Sequence, residues 1–299
     1  MKITVASNVG FCFGVKKSIE ITEKTLEKYG KLRNVYVTGD LVHNEKVMEY
    51  LINKGLKILH VGENKLTDIP ENSVIIIRAH GLPPDKISDL KSKFNLVIDT
   101  TCPIVRKMFE VAKDLLEEGR VLFVLGNKNH PEMVALKGHV KKVSFFSSID
   151  ELKEFLDEKS INKDAKIALI SQTTKDLRTF CKAAYMLTER FKDLKIVKTI
   201  CDFTVDRERE VKKLAMESDL VIVVGSNKSS NTRKLFNIAR KFTSTLFVSG
   251  SAQLNDSLED FENIAIVSGT STPINLIEEV VSFIKNKFGE VEVLWRSQI

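Results

Sequence analysis

KITVASNVGFC (2–12), NLVIDTTC (95–102) and LKIVKTIC (194–201) write one pattern three times. Each opens on a short apolar run rich in β-branched residues, passes through a few small or polar residues, and ends on a cysteine. Such runs suit the pleated surface of a strand. Each stretch therefore reads as a strand whose following loop carries Cys12, Cys102 or Cys201. The cysteines stand 90 and 99 residues apart. No local CxxC knuckle exists, so they acquire meaning only as equivalent positions of a repeat.

Outward from each cysteine the same order of elements returns. First comes a helical pattern: Val15, Ile19, Thr22, Leu26 and Tyr29 before Gly30; Val105, Phe109, Ala112 and Leu116 before Gly119; and, less cleanly after the charged run DRERE, Val211, Leu214 and Ala215. These are spacings of three and four with a glycine stop in the first two. A strand into a glycine loop follows in NVYVTGDLVHN (34–44), RVLFVLGNKNHPE (120–132) and DLVIVVGSNKSSN (219–231). Further strands come at LKILHV, KKVSFF and STLFVS, and then at VIIIRAHG (74–81), KIALISQTT (166–174) and NIAIVSGTS (263–271). Apolar strands alternating with amphipathic helices predict an α/β fold of three pseudo-repeated modules, each with a small, mostly parallel sheet. The expected modules are 14–100, 101–198 and 199–299. EVEVLW (290–295) reads as a fourth copy of the strand before each cysteine, so the segment 1–13 is expected to complete the third module.

Composition sets the outer limits. Of the 299 residues, 43% are hydrophobic and 29% charged, which is ordinary for a globular chain. No apolar run approaches the roughly 20 residues that span a bilayer. The N-terminus reads as strand and loop rather than as a secretory signal, so a cytoplasmic location without membrane contact is expected. Four cysteines in such a compartment argue against structural disulfides. The formal charge is +6, but the basic residues are scattered among acids. A nucleic-acid partner is therefore not expected, whereas an anionic small substrate or an acidic protein partner suits the balance.

Three thiolates at equivalent strand ends suit a metal. Structural zinc ordinarily takes a fourth ligand, and a [4Fe–4S] cluster ordinarily takes four cysteines. With three, one iron is left open to act as a Lewis acid. Cys12, Cys102 and Cys201 each precede a helix, whose positive end favours thiolate and an anionic cluster. Cys181 is expected to pack in a core on a helix face with Leu177, Ala184, Leu187 and Phe191. His43, His80 and His130 each stand after an apolar strand; His60 and His139 receive no role. With Ser229, Ser230, Asn231 and Ser271 the three histidines form a candidate anion cradle. No P-loop or dinucleotide glycine motif occurs. Glu132 near a metal becomes a proton donor if burial raises its pKa, and Thr173 or Thr174 could position a proton. An iron–sulfur hydratase and a redox sensor use the same cysteines, and both remain open at this point.

In this order GFCFGV, VHN, RAHG, DTTCP, NHPE, SQTT, SSN and GTSTP resemble the 4-hydroxy-3-methylbut-2-enyl diphosphate reductase family, over nearly the whole chain to about residue 285. Phe13 and Arg78 fill positions inside those motifs that vary in the family. No appended domain is expected. The resemblance implies a trefoil of three modules around one [4Fe–4S] cluster per chain, held by Cys12, Cys102 and Cys201. It implies reductive removal of the allylic hydroxyl of (E)-4-hydroxy-3-methylbut-2-enyl diphosphate, giving isopentenyl and dimethylallyl diphosphate as the last step of the non-mevalonate isoprenoid pathway. It assigns diphosphate binding to His43, His80, His130, Ser229, Ser230, Asn231 and Ser271, proton donation to Glu132, and a hold on the substrate hydroxyl to Thr173. Ferredoxin or flavodoxin is the implied electron donor.

Overall fold

Fully apolar strand runs such as Val74–Ile77 and Leu220–Val224 are buried at every position, the signature of parallel sheets covered on both faces. The computed structural model describes residues 1–61 and 66–297. In chain order the elements are β1 (Lys2–Val5), α1 (Phe13–Tyr29), β2 (Val35–Val37), α2 (Glu45–Asn53), β3 (Leu56–Ile58), β4 (Val74–Ile77), α3 (Pro84–Lys93), β5 (Leu96–Asp99), α4 (Pro103–Glu117), β6 (Val121–Leu125), α5 (Pro131–His139) and β7 (Val143–Phe146). They continue with α6 (Ile149–Glu158), β8 (Lys166–Ser171), α7 (Leu177–Thr188), β9 (Asp193–Ile196), α8 (Asp202–Glu217), β10 (Leu220–Val224), α9 (Ser230–Ala239), β11 (Ser244–Val248), β12 (Asn263–Ser268), α10 (Ile274–Phe288) and β13 (Glu292–Trp295). Among the described residues no helix is long and apolar enough to cross a membrane.

The strands form three sheets, ordered β3-β2-β4-β5, β7-β6-β8-β9 and β11-β10-β12-β1-β13. Every pairing given among the described residues is parallel. One topology is used three times, with the strand that leads to a cysteine always beside the third strand of its set. In the last sheet that strand is β1, which pairs Val5 with Ile266 of β12 and with Trp295 of β13. In each sheet the chain leaves one strand to opposite sides, so β2/β4, β6/β8 and β10/β12 flank switch points. Ligands of open α/β sheets bind beyond the strand ends at such points.

The chain divides into two compact units. One comprises Met1–Lys16, Val42–Leu51 and Asp202–Ile299, and the other Lys17–Leu41 and Ile52–Cys201. In the first, Ile3, Val5, Ile222, Ile266, Ile277 and Val280 build a core on one face of the five-stranded sheet. In the second, Val105, Phe109, Ala112 and Leu115 of α4 pack on Leu122, Val124, Ala168 and Ile170. The stripe on α4 runs through Leu115 rather than Leu116, which lies at its margin. On α7 the expected face holds at Leu187 and at Phe191 just beyond the helix, but over the first half it lies one residue back. Phe180, Ala183 and Leu187 are buried, and Cys181 is exposed. Phe180 removes more apolar surface from water than a thiol does, so it sets the helix rotation.

Candidate active site

The three cysteine loops share one backbone device. Cys12 N–H donates to Thr270 O at 3.1 Å, Cys102 N–H to Ala79 O at 2.9 Å, and Cys201 N–H to Thr173 O at 2.8 Å. Each acceptor lies two residues past the end of the neighbouring strand: β12, β4 or β8. Parallel pairing thus continues beyond the sheet and straps each cysteine to a loop carrying candidate binding residues. All three cysteines are half-buried, and none of the chain's four is in a disulfide. Each stands directly before the first residue of its helix, α1, α4 or α8.

In the first unit the loop before Cys12 is clamped from α8. The Glu210 carboxylate accepts from Ser7 N at 2.6 Å, Ser7 Oγ at 2.8 Å and Asn8 N at 3.1 Å. Buried Arg207 donates to Gly10 O at 2.7 Å and to Ser268 O at 2.9 Å. Gly10, at φ +81°, makes the turn that presents Cys12. The glycine loop after β10 opens α9. Ser229 caps that helix by accepting from Thr232 N, and Ser230 and Asn231 form its first turn. A helix start of this kind presents several N–H groups to an anion. Asn231 Oδ1 accepts from Thr270 N at 3.0 Å, while its buried Nδ2 has no partner among the described residues. Ser271 Oγ donates to His43 O at 3.2 Å. This unit therefore gathers Cys12, His43, Ser229, Ser230, Asn231 and Ser271.

The second unit gathers Cys102, Cys201, His80, His130, Glu132 and Thr173. His80 and His130 meet edge to face, with ring centroids 5.5 Å apart. His130 is the N-cap of α5, its Nδ1 accepting from Glu132 N at 3.2 Å, which requires the tautomer with the proton on Nε2. Burial, and then the nearby Arg78 charge, push its pKa down to about 4. Glu132 is 4% exposed. Thr173 grips its carboxyl twice, from Oγ1 at 2.7 Å and from N at 3.1 Å. Burial holds this carboxyl above the ordinary range, against the opposing pull of the Thr173 bonds. A carboxyl so placed is disposed to keep a proton and surrender it to a bound group.

Four residues escape a reading of the sequence alone. DRERE reads as a solvated charged face, yet Arg207 and Glu210 turn inward. Their spacing from Val211 and Leu214 on the buried face was the available signal. His139, the last residue of α5, stacks on Phe109 at 4.4 Å and places Nε2 at 3.2 Å from Leu82 O. It braces the loop that follows His80. Arg78 carries a buried Nε, and its charge reaches His130.

Residues 3–285 match the LytB protein family. The 4-hydroxy-3-methylbut-2-enyl diphosphate reductase of Thermotoga maritima is 40% identical over 292 residues, covering 97% of this chain and 98% of the relative. The enzyme of the same name from Kosmotoga olearia is 40% identical over 298 residues, with the same coverage of both chains. A solved structure of (E)-4-hydroxy-3-methyl-but-2-enyl diphosphate reductase, the terminal enzyme of the non-mevalonate pathway, superposes with a TM-score of 0.72 at 31% identity, covering 95% of this chain and 99% of that one. The fold also matches the E-1-hydroxy-2-methyl-but-2-enyl-4-diphosphate reductase of Plasmodium falciparum, with a TM-score of 0.88, 24% identity, and coverage of 99% and 92%. The chain therefore belongs to the LytB protein family, whose members are iron–sulfur-dependent 4-hydroxy-3-methylbut-2-enyl diphosphate reductases of isoprenoid biosynthesis.

Proposed function

We propose that the chain reduces (E)-4-hydroxy-3-methylbut-2-enyl diphosphate to isopentenyl and dimethylallyl diphosphate, using one [4Fe–4S] cluster held by Cys12, Cys102 and Cys201. The donor set fits such a cluster. It consists of three half-buried thiols outside any disulfide, each ahead of a positive helix end and each strapped by its backbone to a candidate binding loop. Bound there, a cluster supplies electrons and an iron able to act as a Lewis acid. The repeat units of this reading are 14–100, 101–198 and 199–299 with 1–13.

The remaining chemistry belongs to side chains. The diphosphate is taken by the first turn of α9 through Ser229, Ser230 and Asn231, by Ser271, and by His43, His80 and His130. The unpartnered Asn231 Nδ2 is a donor suited to a phosphoryl oxygen. Thr173 holds the substrate hydroxyl, and Glu132 delivers a proton as that oxygen leaves as water. Two electrons and two protons balance the exchange of C–OH for C–H. Ferredoxin or flavodoxin, both acidic proteins, is the donor that a chain of charge +6 suits, with the reducing cytoplasm as its compartment.

The observation that carries this reading is the run Glu132–Thr173–Cys201. A buried carboxyl held above its ordinary pKa is bonded to a threonine whose own carbonyl anchors a cysteine loop. The test is Glu132→Gln. Loss of a general acid lowers turnover by about 10²–10⁴-fold, while iron content after anaerobic reconstitution and affinity for inorganic pyrophosphate persist. Turnover near that of the parent enzyme would remove Glu132 from the chemistry.

A further inference from the structure

Arg78 follows β4, two residues before His80. Its backbone N–H is fixed by Thr38 Oγ1 at 3.2 Å, and its side chain lies over Gly39. A Cβ on Gly39 would stand 2.6 Å from Nη1 and 3.2 Å from Cζ, so the missing side chain of this residue is what admits the guanidinium. Nε is buried and has no hydrogen-bond partner among the described residues. Among the described residues Arg78 forms no ion pair; Asp40 acts on it only as a charge at longer range. Burial works against the guanidinium charge, and that charge in turn reaches His130, whose ring packs on His80.

A cation drawn out of water is ordinarily matched by a carboxylate. Here no carboxylate pairs with it among the described residues: Asp40 acts only at longer range, and the nearby group that feels its charge is the His130 imidazole. A guanidinium is a planar fork that matches phosphoryl oxygens with paired N–H bonds. Neutral histidines and serines can hydrogen-bond a diphosphate, but they do not offset its charge.

We propose that Arg78 is a further ligand of the diphosphate, the cation of the cradle that contains His80 and His130. This rests on the reading that those histidines hold the diphosphate. It implies that the side chain trades stability of the empty protein for affinity, because binding completes a charge left unmatched before it.

The test uses the reconstituted holoenzyme with inorganic pyrophosphate as the probe, followed by calorimetric titration and thermal unfolding. Arg78→Met is expected to weaken pyrophosphate by about 10–100-fold, the range of a lost charge-assisted bond. KM for the substrate should rise in step while kcat at saturation stays within about threefold. The ligand-free melting temperature should hold or rise, and Arg78→Lys should restore part of the affinity. Unchanged pyrophosphate affinity in Arg78→Met overturns the proposal. So does a parallel fall of affinity and ligand-free melting temperature without rescue by lysine, which would mark a structural role. Asp40→Asn should leave affinity equal or higher; a loss as large as that of Arg78→Met would make Arg78 a partner of Asp40 and also overturn it. His80→Asn separates the two layers. If it binds pyrophosphate normally while Arg78→Met does not, the histidine cradle falls and Arg78 stands alone as the anion receptor. If it loses affinity and Arg78→Met does not, the cradle stands and the arginine falls.

Discussion

Acid should loosen α5 through its cap, and His130 is the trigger. The ring Nδ1 accepts the Glu132 N–H, so the cap exists only while Nδ1 is unprotonated. Protonation would remove that acceptor and set a positive charge on the positive end of a helix. A pKa held at about 4 instead of the ordinary 6.5 is depressed on folding. Stability from this group is therefore fully present above pH 6.5 and disappears as pH falls towards 4. At about 1.4 kcal/mol per pH unit the whole window amounts to about 3 kcal/mol. Between pH 7 and 5 the loss is about 1–2 kcal/mol once partial exposure of the ring is allowed for. His130→Asn is the matched variant, because asparagine also caps helices and does not titrate. Glu132 acts in the opposite sense. Its raised pKa means stability that is lost as pH rises, so comparison of the two proteins at each pH isolates the histidine. Urea unfolding at pH 7, 6 and 5 reads the result. The variant should lose about 1–2 kcal/mol less than the parent over that interval. Parallel pH profiles for the two proteins would refute the argument.

Thr173→Val keeps the side-chain volume but removes the 2.7 Å bond to Glu132. Urea unfolding should show a loss of about 1–2 kcal/mol, and the Glu132 pKa should move further up, carrying the basic limb of the pH–rate profile with it. Gly138→Ala would place a Cβ 2.3 Å from Pro83 Cβ and 2.8 Å from Pro83 Cα. Because backbone must yield, α5 should be pushed from the Leu82–Pro83 loop at a cost of about 1–3 kcal/mol, read as a lower urea midpoint. Cys181→Ser should leave iron content unchanged and stability within about 0.5 kcal/mol. Serine at position 12, 102 or 201 should each lower iron content after reconstitution, and an iron assay on the four proteins decides it.

Much of this architecture is readable from the chain because its strands are short and nearly all apolar. Val74–Ile77 and Leu220–Val224 announce buried parallel strands without any partner being known. The cysteine positions follow from repetition, and the candidate binding loops follow from lying after strands. What sequence does not carry is side-chain partnership at long range. Glu132 and Thr173 are 41 residues apart, and Glu210 reaches a loop 203 residues away. A run of five charged residues reads by composition as solvated, and only the spacing of Arg207 and Glu210 from Val211 and Leu214 hints that they turn inward. Helix phase fails where two neighbours could both serve, as with Phe180 and Cys181, and the larger ring prevails. Arg78 stands at a position that varies within its motif, so sequence alone assigns it no role; its buried Nε and the notch at Gly39 belong to three dimensions.

The place of β1 between β12 and β13 sets a timetable for biosynthesis. Both neighbours lie far along the chain from β1, so β1 is made long before either of them. With β12 about 260 residues downstream and elongation at roughly 5–20 residues per second, β1 waits some 10–50 s with its edges unpaired. The loop that presents Cys12 takes its hydrogen-bond partners from α8 and from the residues after β12, so it sets only then. Cys102 and Cys201, whose straps come from earlier strands, are ready sooner. Under the proposed ligand set, no metal group can be held by all three cysteines before β12 has been made, and Ile3 and Val5, buried in the end, are the residues a chaperone would have to guard in the interval.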